Sequence, residues 1–280
     1  MSVMPELPEV ETIKNDLLEK VVGSTITKVT YTTEGQNLIS KTDQDLTNVL
    51  PGRKIIGVER KAKYLVLALS KNDKLVFHLK LTGRILVRDS SHREDEFTRL
   101  ILKLEDEREI RFTDRNGFGE VKLIGEKENV GPNLAPDPFE LSYQQFKISL
   151  GKTLLKTIKE ALLDQSLIAG VGNIYADEAL YVAGINPFRA PKALSLNETT
   201  KLLTAIKKVL HEGINHRGTT IDSYRDTEGR PGTHQFHLKV YGKAGKPCQK
   251  CATRIEYTEI KGRRTHFCPN CQPKDQLSLF

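Results

Sequence analysis

Between residues 9 and 22, apolar side chains recur at helical spacing. Val10, Ile13, Leu17, Leu18 and Val21 share one stripe, and Gly23 follows as a stop. This predicts an amphipathic helix, while Pro5 and Pro8 just before it argue against regular structure at its start. From Thr25 the pattern changes to short runs rich in β-branched and aromatic residues: Thr25–Tyr31, Lys54–Glu59, Tyr64–Leu69, Lys74–Leu79, Arg84–Arg88, Thr98–Leu104, Glu109–Thr113 and Glu120–Ile124. Runs this short, divided by turn residues, predict a β sandwich or barrel.

The segment from Gly131 to Pro138 is dense in proline and glycine and marks an interdomain linker. Helical periodicity follows at about 142–150, 152–164, 173–183 and 195–214. The last of these opens on Ser195 and Glu198, the spacing of a capping box. Between the second and third helices, residues 165–173 carry two glycines close together, so the pattern is a helix, two turns and a helix. Residues 215–237 have no sustained period and predict a mobile loop, a length uncommon in a compact domain and often functional. The expected fold class is therefore α+β. It has an N-terminal β sandwich with a flanking helix at 1–130, a helical helix-two-turn-helix domain with the loop at 131–237, and at 238–280 a C-terminal β hairpin whose pairs Cys248/Cys251 and Cys268/Cys271 have the spacing of a zinc finger.

All the cysteines lie near the C-terminus, as Cys248-x2-Cys251 and Cys268-x2-Cys271 with 16 residues between the pairs. Two such hooks match a tetrahedral zinc site, and a pair of disulfides is the competing assignment. With four thiolates on one Zn2+ no coordination position stays open, so the metal is expected to be structural. At 280 residues and 38% hydrophobic content the chain can bury packed cores. No apolar run approaches the roughly 20 residues of a membrane span. The N-terminus, with Glu6, Glu9 and Glu11, lacks the pattern of a signal peptide, so a cytoplasmic protein without membrane contact is expected, and a monomer is the expected state.

The net charge of +7 is unevenly placed: residues 1–150 carry 23 Lys/Arg against 24 Asp/Glu (−1), and residues 151–280 carry 20 against 12 (+8). A basic C-terminal half suits a polyanion partner, although a solvated basic face gives the same count.

The segment from Met4 to Thr12 resembles the N-terminal signature of formamidopyrimidine-DNA glycosylases, and later motifs appear in that family's order. They are Arg60 to Tyr64 (RKAKY), Gly170 to Tyr175 (GVGNIY), Gly218 to Thr220 (GTT), Val240 to Gly242 (VYG) and the four-cysteine module. The resemblance covers essentially the whole chain. It implies a bifunctional glycosylase and lyase that excises oxidised purines from damaged double-stranded DNA, lying in a cleft between the domains. Pro5 would be the nucleophile and Glu6 the proton-transferring carboxyl group, with Glu9 structural. Lys63 would assist base excision, and Arg263 would grip phosphates and serve a later elimination. The implied DNA-binding set is Asn173, Asn116, Lys159, His78, Leu81 and Phe118, and the ligands of one structural Zn2+ would be Cys248, Cys251, Cys268 and Cys271.

Two departures stand out. Where bacterial members place methionine, arginine and phenylalanine to fill the gap left by an everted base, this chain has Leu81, Asn116 and Phe118. Asn116 lacks an arginine's charge and reach, which puts opposite-base selectivity in question. Met1, Ser2 and Val3 also precede the proline motif. With them attached, the Pro5 nitrogen is an amide and cannot attack. The expectation is a start at Met4, removed before Pro5. The alternatives are an endonuclease VIII-type enzyme for oxidised pyrimidines and a catalytically silent lesion-binding protein.

Overall fold

In the computed structural model, residues 4–32 and 45–274 are described. The Met1 to Val3 extension lies outside them. The chain forms two compact units: the first takes the described residues up to Pro132 together with Gly213–Gln235, and the second takes Asn133–Glu212 and the residues from Phe236 onward.

The first unit opens with α1 (Leu7–Val21). The helix starts two residues earlier than its apolar stripe indicated, because Pro8 occupies the first turn, where no intrahelical N–H is needed. Val10, Ile13, Leu17 and Val21 are fully buried, whereas Leu18 is 39% exposed and leaves the expected stripe. The strands β1 (Ile26–Tyr31), β2 (Ile55–Lys61), β3 (Tyr64–Leu69), β4 (Lys74–His78), β5 (Gly83–Asp89), β6 (Thr98–Leu104), β7 (Arg108–Asp114) and β8 (Glu120–Ile124) fall where the short runs predicted them. A one-turn helix, α2 (Leu46–Val49), precedes β2.

The strands form two antiparallel four-stranded sheets, in the orders β1-β6-β7-β5 and β2-β3-β4-β8. One core joins their inner faces. Leu65, Leu67, Leu69, Leu75 and Phe77 meet Ile85, Leu100, Leu102, Ile110 and Phe112, with the α1 stripe packed among them. The alternate residues Val66, Val76 and Ile124 cluster on the other face of the second sheet with Tyr64 and Val130. Burial on both faces explains why β3 reads as a continuous apolar run instead of an alternating one.

The second unit holds α3 (Tyr143–Lys152), α4 (Ile158–Leu163) and α5 (Asn173–Ala183), and α6 (Leu196–Asn215) begins in it. The expected capping box at Ser195 and Glu198 is present, with bonds of 2.7 and 3.2 Å. The helix expected at 152–164 is shorter, starting at Ile158. Thr157 and Glu160 form a second capping box there, at 2.8 and 3.2 Å, which sets the boundary. Strands β9 (Glu256–Ile260) and β10 (Arg263–Phe267) make the C-terminal hairpin. No helix among the described residues is long and apolar enough to cross a membrane.

Candidate functional site

Pro5 and Glu6 lead into α1 and are buried, Glu6 to 2% exposure. Glu6 and Glu9 form a capping box in which the Glu6 backbone N–H donates to Glu9 Oε2 at 2.8 Å. The other Glu9 oxygen accepts the backbone N–H of Thr219 at 2.7 Å. Glu9 thus acts structurally, holding the residue beside Pro5 and the GTT segment with one carboxylate. Farther along α1, Glu11 takes Lys14 and Arg60, each at 2.6 Å. Burial raises the Glu11 carboxyl, but these two cations outweigh it and leave its pKa below the ordinary value.

Arg60 therefore ties the RKAKY motif to the helix that follows Pro5. Lys63, 7% exposed, lies in the turn between β2 and β3, after Ala62 at φ +56°. On the neighbouring strand, His78 packs edge-on against Tyr64 with ring centroids 4.6 Å apart. Its Nδ1 accepts the Lys80 backbone N–H at 3.1 Å, which places the ring proton on Nε2. Burial first, then the charges of Lys80 and Lys63, push the His78 pKa down to about 4. His78 is thus neutral at pH 7 and can offer a phosphate an N–H but no charge.

Leu81, Asn116 and Phe118 sit on two connected turns. Asp114, 1% exposed, accepts Thr82 Oγ1 through Oδ1 and the Gly119 N–H through Oδ2 at 2.7 Å. Asn116 donates its backbone N–H to Thr82 Oγ1 at 3.0 Å. The side chains of Asn116 and Phe118 remain outside this network and exposed, Phe118 to 59%. A Cβ on Gly119 would collide with the Phe112 ring, so glycine is needed where this loop crosses the sheet. Leu81 is half-buried, and its carbonyl accepts Ser223 Oγ at 2.7 Å. Asp114 organises both turns and carried no signal in the sequence.

The 215–237 segment, where the sequence predicts a mobile loop, carries many internal hydrogen bonds. Asp226, 1% exposed, accepts the backbone N–H groups of Glu228 and Arg230 at 3.0 and 2.9 Å and the Arg217 guanidinium at 2.8 Å. Arg217 also reaches Asp16 of α1 at 2.7 Å. At the loop base, Gly218 has φ +83°, and a Cβ there would press on Tyr224 and Glu9 at 2.8 and 3.0 Å. His216 and His234 stack with 3.0 Å between their Nδ1 atoms, joining the two ends of the loop.

In the second unit, the assignment of Lys159 to DNA contact is corrected. Lys159 is fully buried, with Nζ 2.6 Å from Asp177 Oδ1 and 3.0 Å from the Asn173 carbonyl oxygen. Its charge is held inside the unit by Asp177. Asp177 Oδ2 accepts the His266 backbone N–H at 2.8 Å, and Asn173 Nδ2 donates to the Arg264 carbonyl at 2.9 Å. One network, buried at Lys159 and Asp177, therefore joins α4, the start of α5 and β10. Asn173 sits at the N-terminus of α5 after Gly172, where backbone N–H groups favour an anion. Arg263 opens β10 and is exposed without a carboxylate partner among the described residues, while Arg264 lies over the Tyr257 ring at 5.4 Å.

The sulfur atoms of Cys248, Cys251, Cys268 and Cys271 all lie within 4.8 Å of one another. Backbone N–H groups of Lys250 and Cys271 point at Cys248 and Cys268 Sγ at 3.4 and 3.5 Å, the arrangement of thiolate-holding knuckles. Four converging thiols fit one tetrahedral Zn2+ held structurally. The module packs on α5 through Tyr181, Val240 and Ile255. Glu178, also unsignalled in the sequence, accepts the backbone N–H groups of Lys239, Val240 and Tyr241 at 2.8, 2.9 and 2.8 Å and so anchors the first two residues of the VYG segment.

The chain matches three family models: the formamidopyrimidine-DNA glycosylase N-terminal domain at residues 4–121, the formamidopyrimidine-DNA glycosylase H2TH domain at 134–225, and the zinc finger found in FPG and IleRS at 245–274. It is 40% identical to the formamidopyrimidine-DNA glycosylases of Herpetosiphon aurantiacus, over 275 residues, and Carboxydothermus hydrogenoformans, over 270. Each alignment covers 96% of this chain and all of the relative. Among solved structures it is similar to the MutM (Fpg) protein of Thermus thermophilus, with a TM-score of 0.85 and 36% identity over 96% of this chain and 98% of that one. It is also similar to Lactococcus lactis Fpg in complex with abasic-site DNA, with a TM-score of 0.87 and 32% identity over 96% of this chain and all of that one. The four-cysteine module, the helix-two-turn-helix region and the sandwich are thus three parts of one enzyme architecture, and the chain belongs to the formamidopyrimidine-DNA glycosylase family.

Proposed function

We propose that this protein is a bifunctional DNA glycosylase and abasic-site lyase that removes oxidised purines, 8-oxoguanine and formamidopyrimidines, from duplex DNA through Pro5. The observation that carries this reading is the fixed geometry around Pro5, where Glu6 and α1 are clamped by Glu9 to the GTT segment.

A terminal proline is a secondary amine whose pKa lies well below that of lysine, so more of it is neutral at pH 7. Its nitrogen lone pair forms a bond to the sugar carbon C1′ as the bond from C1′ to the damaged base breaks, and the base leaves with a proton. Glu6 exchanges protons at the opening sugar. Because the nitrogen is secondary, the sugar adduct is a cationic iminium. This sink acidifies the C2′ hydrogen, and loss of that proton expels the 3′ phosphate. Lys63 and the N–H of neutral His78 face the sugar and phosphates in this reading. Asn173 and Arg263 hold the backbone around the lesion, and Leu81, Asn116 and Phe118 fill the duplex.

The reading requires Pro5 to carry a free nitrogen, with Met4 removed. Borohydride should trap an adduct between the protein and abasic-site or 8-oxoguanine DNA, and peptide mapping should place it on Pro5. A protein retaining Met1, Ser2 and Val3 should not trap there. Full trapping by that longer protein, with the adduct on a lysine such as Lys63, would replace Pro5 with a lysine-dependent lyase.

A further inference from the structure

The first unit contains a cavity of about 450 Å3 whose wall includes Arg84 and Arg88 from β5, Arg115 from the turn after β7, and Arg225 from the 215–237 loop. Two acids also line it, Asp95 and Glu96. Asp95 is engaged by Arg88 at 3.2 Å and by Arg111 at 3.0 Å, so it balances charges already in place.

The other three arginines lack comparable partners among the described residues. Arg84 donates Nε to the Ser223 carbonyl at 2.6 Å and pairs with no carboxylate there. Arg225 donates to the carbonyls of Tyr224 and Asp222 at 2.7 and 3.3 Å. Arg115 has only a loose approach to Asp222 at 3.8 Å, with both side chains substantially exposed at 55% and 40%. Burial holds the Arg84 guanidinium below its ordinary pKa, and repulsion from Arg225 and Arg115 adds to the effect. Asp222 and Asp95 offset this only in part. Like charges gathered on one concave wall are stabilised by an anion that accepts from all of them.

We propose that this cavity is a binding site for a phosphate group, with Arg84, Arg115 and Arg225 as its charge-assisted donors. A phosphate holds its oxygens in a tetrahedral array, two of them charged in a backbone phosphodiester and more in the free anion, so it can meet guanidiniums arriving from separate elements. A carboxylate offers two oxygens in one plane and is matched by a single fork. The phosphate comes either from the backbone of bound DNA, in which case the site rests on the proposed function, or from a free anion.

Two measurements on the full-length zinc-loaded protein separate these sources, comparing wild type with R84Q/R225Q and with K28Q, which removes an exposed charge elsewhere on the unit. If a DNA phosphate occupies the cavity, the slope of log K against log salt for duplex binding should fall by about 1 in R84Q/R225Q and less in K28Q. If a free anion occupies it, inorganic phosphate should raise the wild-type melting temperature beyond chloride of equal ionic strength, and R84Q/R225Q should lose that rise. The single variant R225Q replaces the double variant if the latter does not fold, since the Arg225 side chain donates to carbonyls of its own loop. A folded variant that matches wild type in both measurements overturns the site. Failure of the wild type to bind any duplex would defeat the proposed function, while the phosphate arm would still report on the cavity.

Discussion

Glu9 Oε1 accepts the backbone N–H of Thr219 at 2.7 Å, joining the first helix to a loop 210 positions later in the chain. Its other oxygen holds Glu6 at 2.8 Å. Glu9→Gln keeps the size but supplies only one accepting oxygen, so one of the two N–H groups meets an NH2. Leaving a buried donor unmade costs about 1–3 kcal/mol. Urea unfolding should show a loss in that range. Base excision should fall more than borohydride trapping on a pre-formed abasic site. A variant with wild-type stability and unchanged excision would mean that Glu9 does not position this segment.

Lys159 and Asp177 form a fully buried pair at 2.6 Å. Lys159→Met leaves Asp177 without that partner and the Asn173 carbonyl without its donor, so a cost of about 3–5 kcal/mol is expected. Because Lys159 is sealed from solvent, the folded fraction should keep the wild-type salt slope for DNA binding. A stable K159M protein whose slope drops by about 1 would restore Lys159 as a phosphate contact.

The His78 pKa of about 4, against 6.5 for an ordinary histidine, has a definite sign for stability. Between those values the unfolded chain binds more protons than the folded one, so stability falls as pH drops from 6.5 toward 4. At one pKa unit per 1.36 kcal/mol, the full loss is about 3 kcal/mol. His78→Gln should flatten this limb, so the stability difference between wild type and variant should change by about 2–3 kcal/mol between pH 7.5 and 4.5. Parallel curves for the two proteins would show that His78 titrates normally.

Cys268 is fully buried, and its backbone N–H donates to Gln272 Oε1 at 2.9 Å, so metal and backbone cooperate at the second knuckle. Cys268→Ser should release zinc, measured with a chromogenic chelator, and reduce DNA binding, while the first unit's unfolding transition persists. Zinc retained at one equivalent would remove Cys268 from the ligand set.

Periodicity placed the strands and most helices because burial on one face leaves a readable pattern, as in the alternate residues of β6. The zinc ligands were legible because metal chemistry demands a fixed spacing. The missed residues act through folded contacts that no motif or period signals: Asp114 joins two turns, Glu178 collects the N–H groups of Lys239, Val240 and Tyr241, and Asp226 orders a loop without periodicity. A lone carboxylate in a sequence looks the same whether it faces water or organises a buried turn. For Lys159 the family resemblance implied a place at the DNA, and its fully buried partner Asp177 lies 18 positions along the chain, where no spacing marks the pair. Capping boxes were readable in principle, and the one at Thr157 and Glu160 sets the helix start that periodicity alone placed too early.

Asn116 stands where the family's bacterial pattern has arginine, and its surroundings make the substitution testable. Its backbone N–H is fixed by Thr82 Oγ1 at 3.0 Å and Asp114 Oδ1 at 3.2 Å, while its side chain is outside that network. Asn116→Arg therefore changes what the loop displays without touching what holds it. A short amide presents one donor and one acceptor to several base edges, whereas an arginine projects charge and paired donors that favour particular acceptors. Wild type should discriminate weakly among bases opposite 8-oxoguanine, and N116R should sharpen the preference for cytosine by about 1–3 kcal/mol, or roughly five- to 160-fold in relative excision rate. Single-turnover excision opposite each of the four bases measures this directly. Asn116→Ala serves as the control for side-chain removal: it should leave selectivity near the wild-type level. If wild type is already as strict as N116R, the opposite base is read by another residue on these turns, with Phe118 the first to replace.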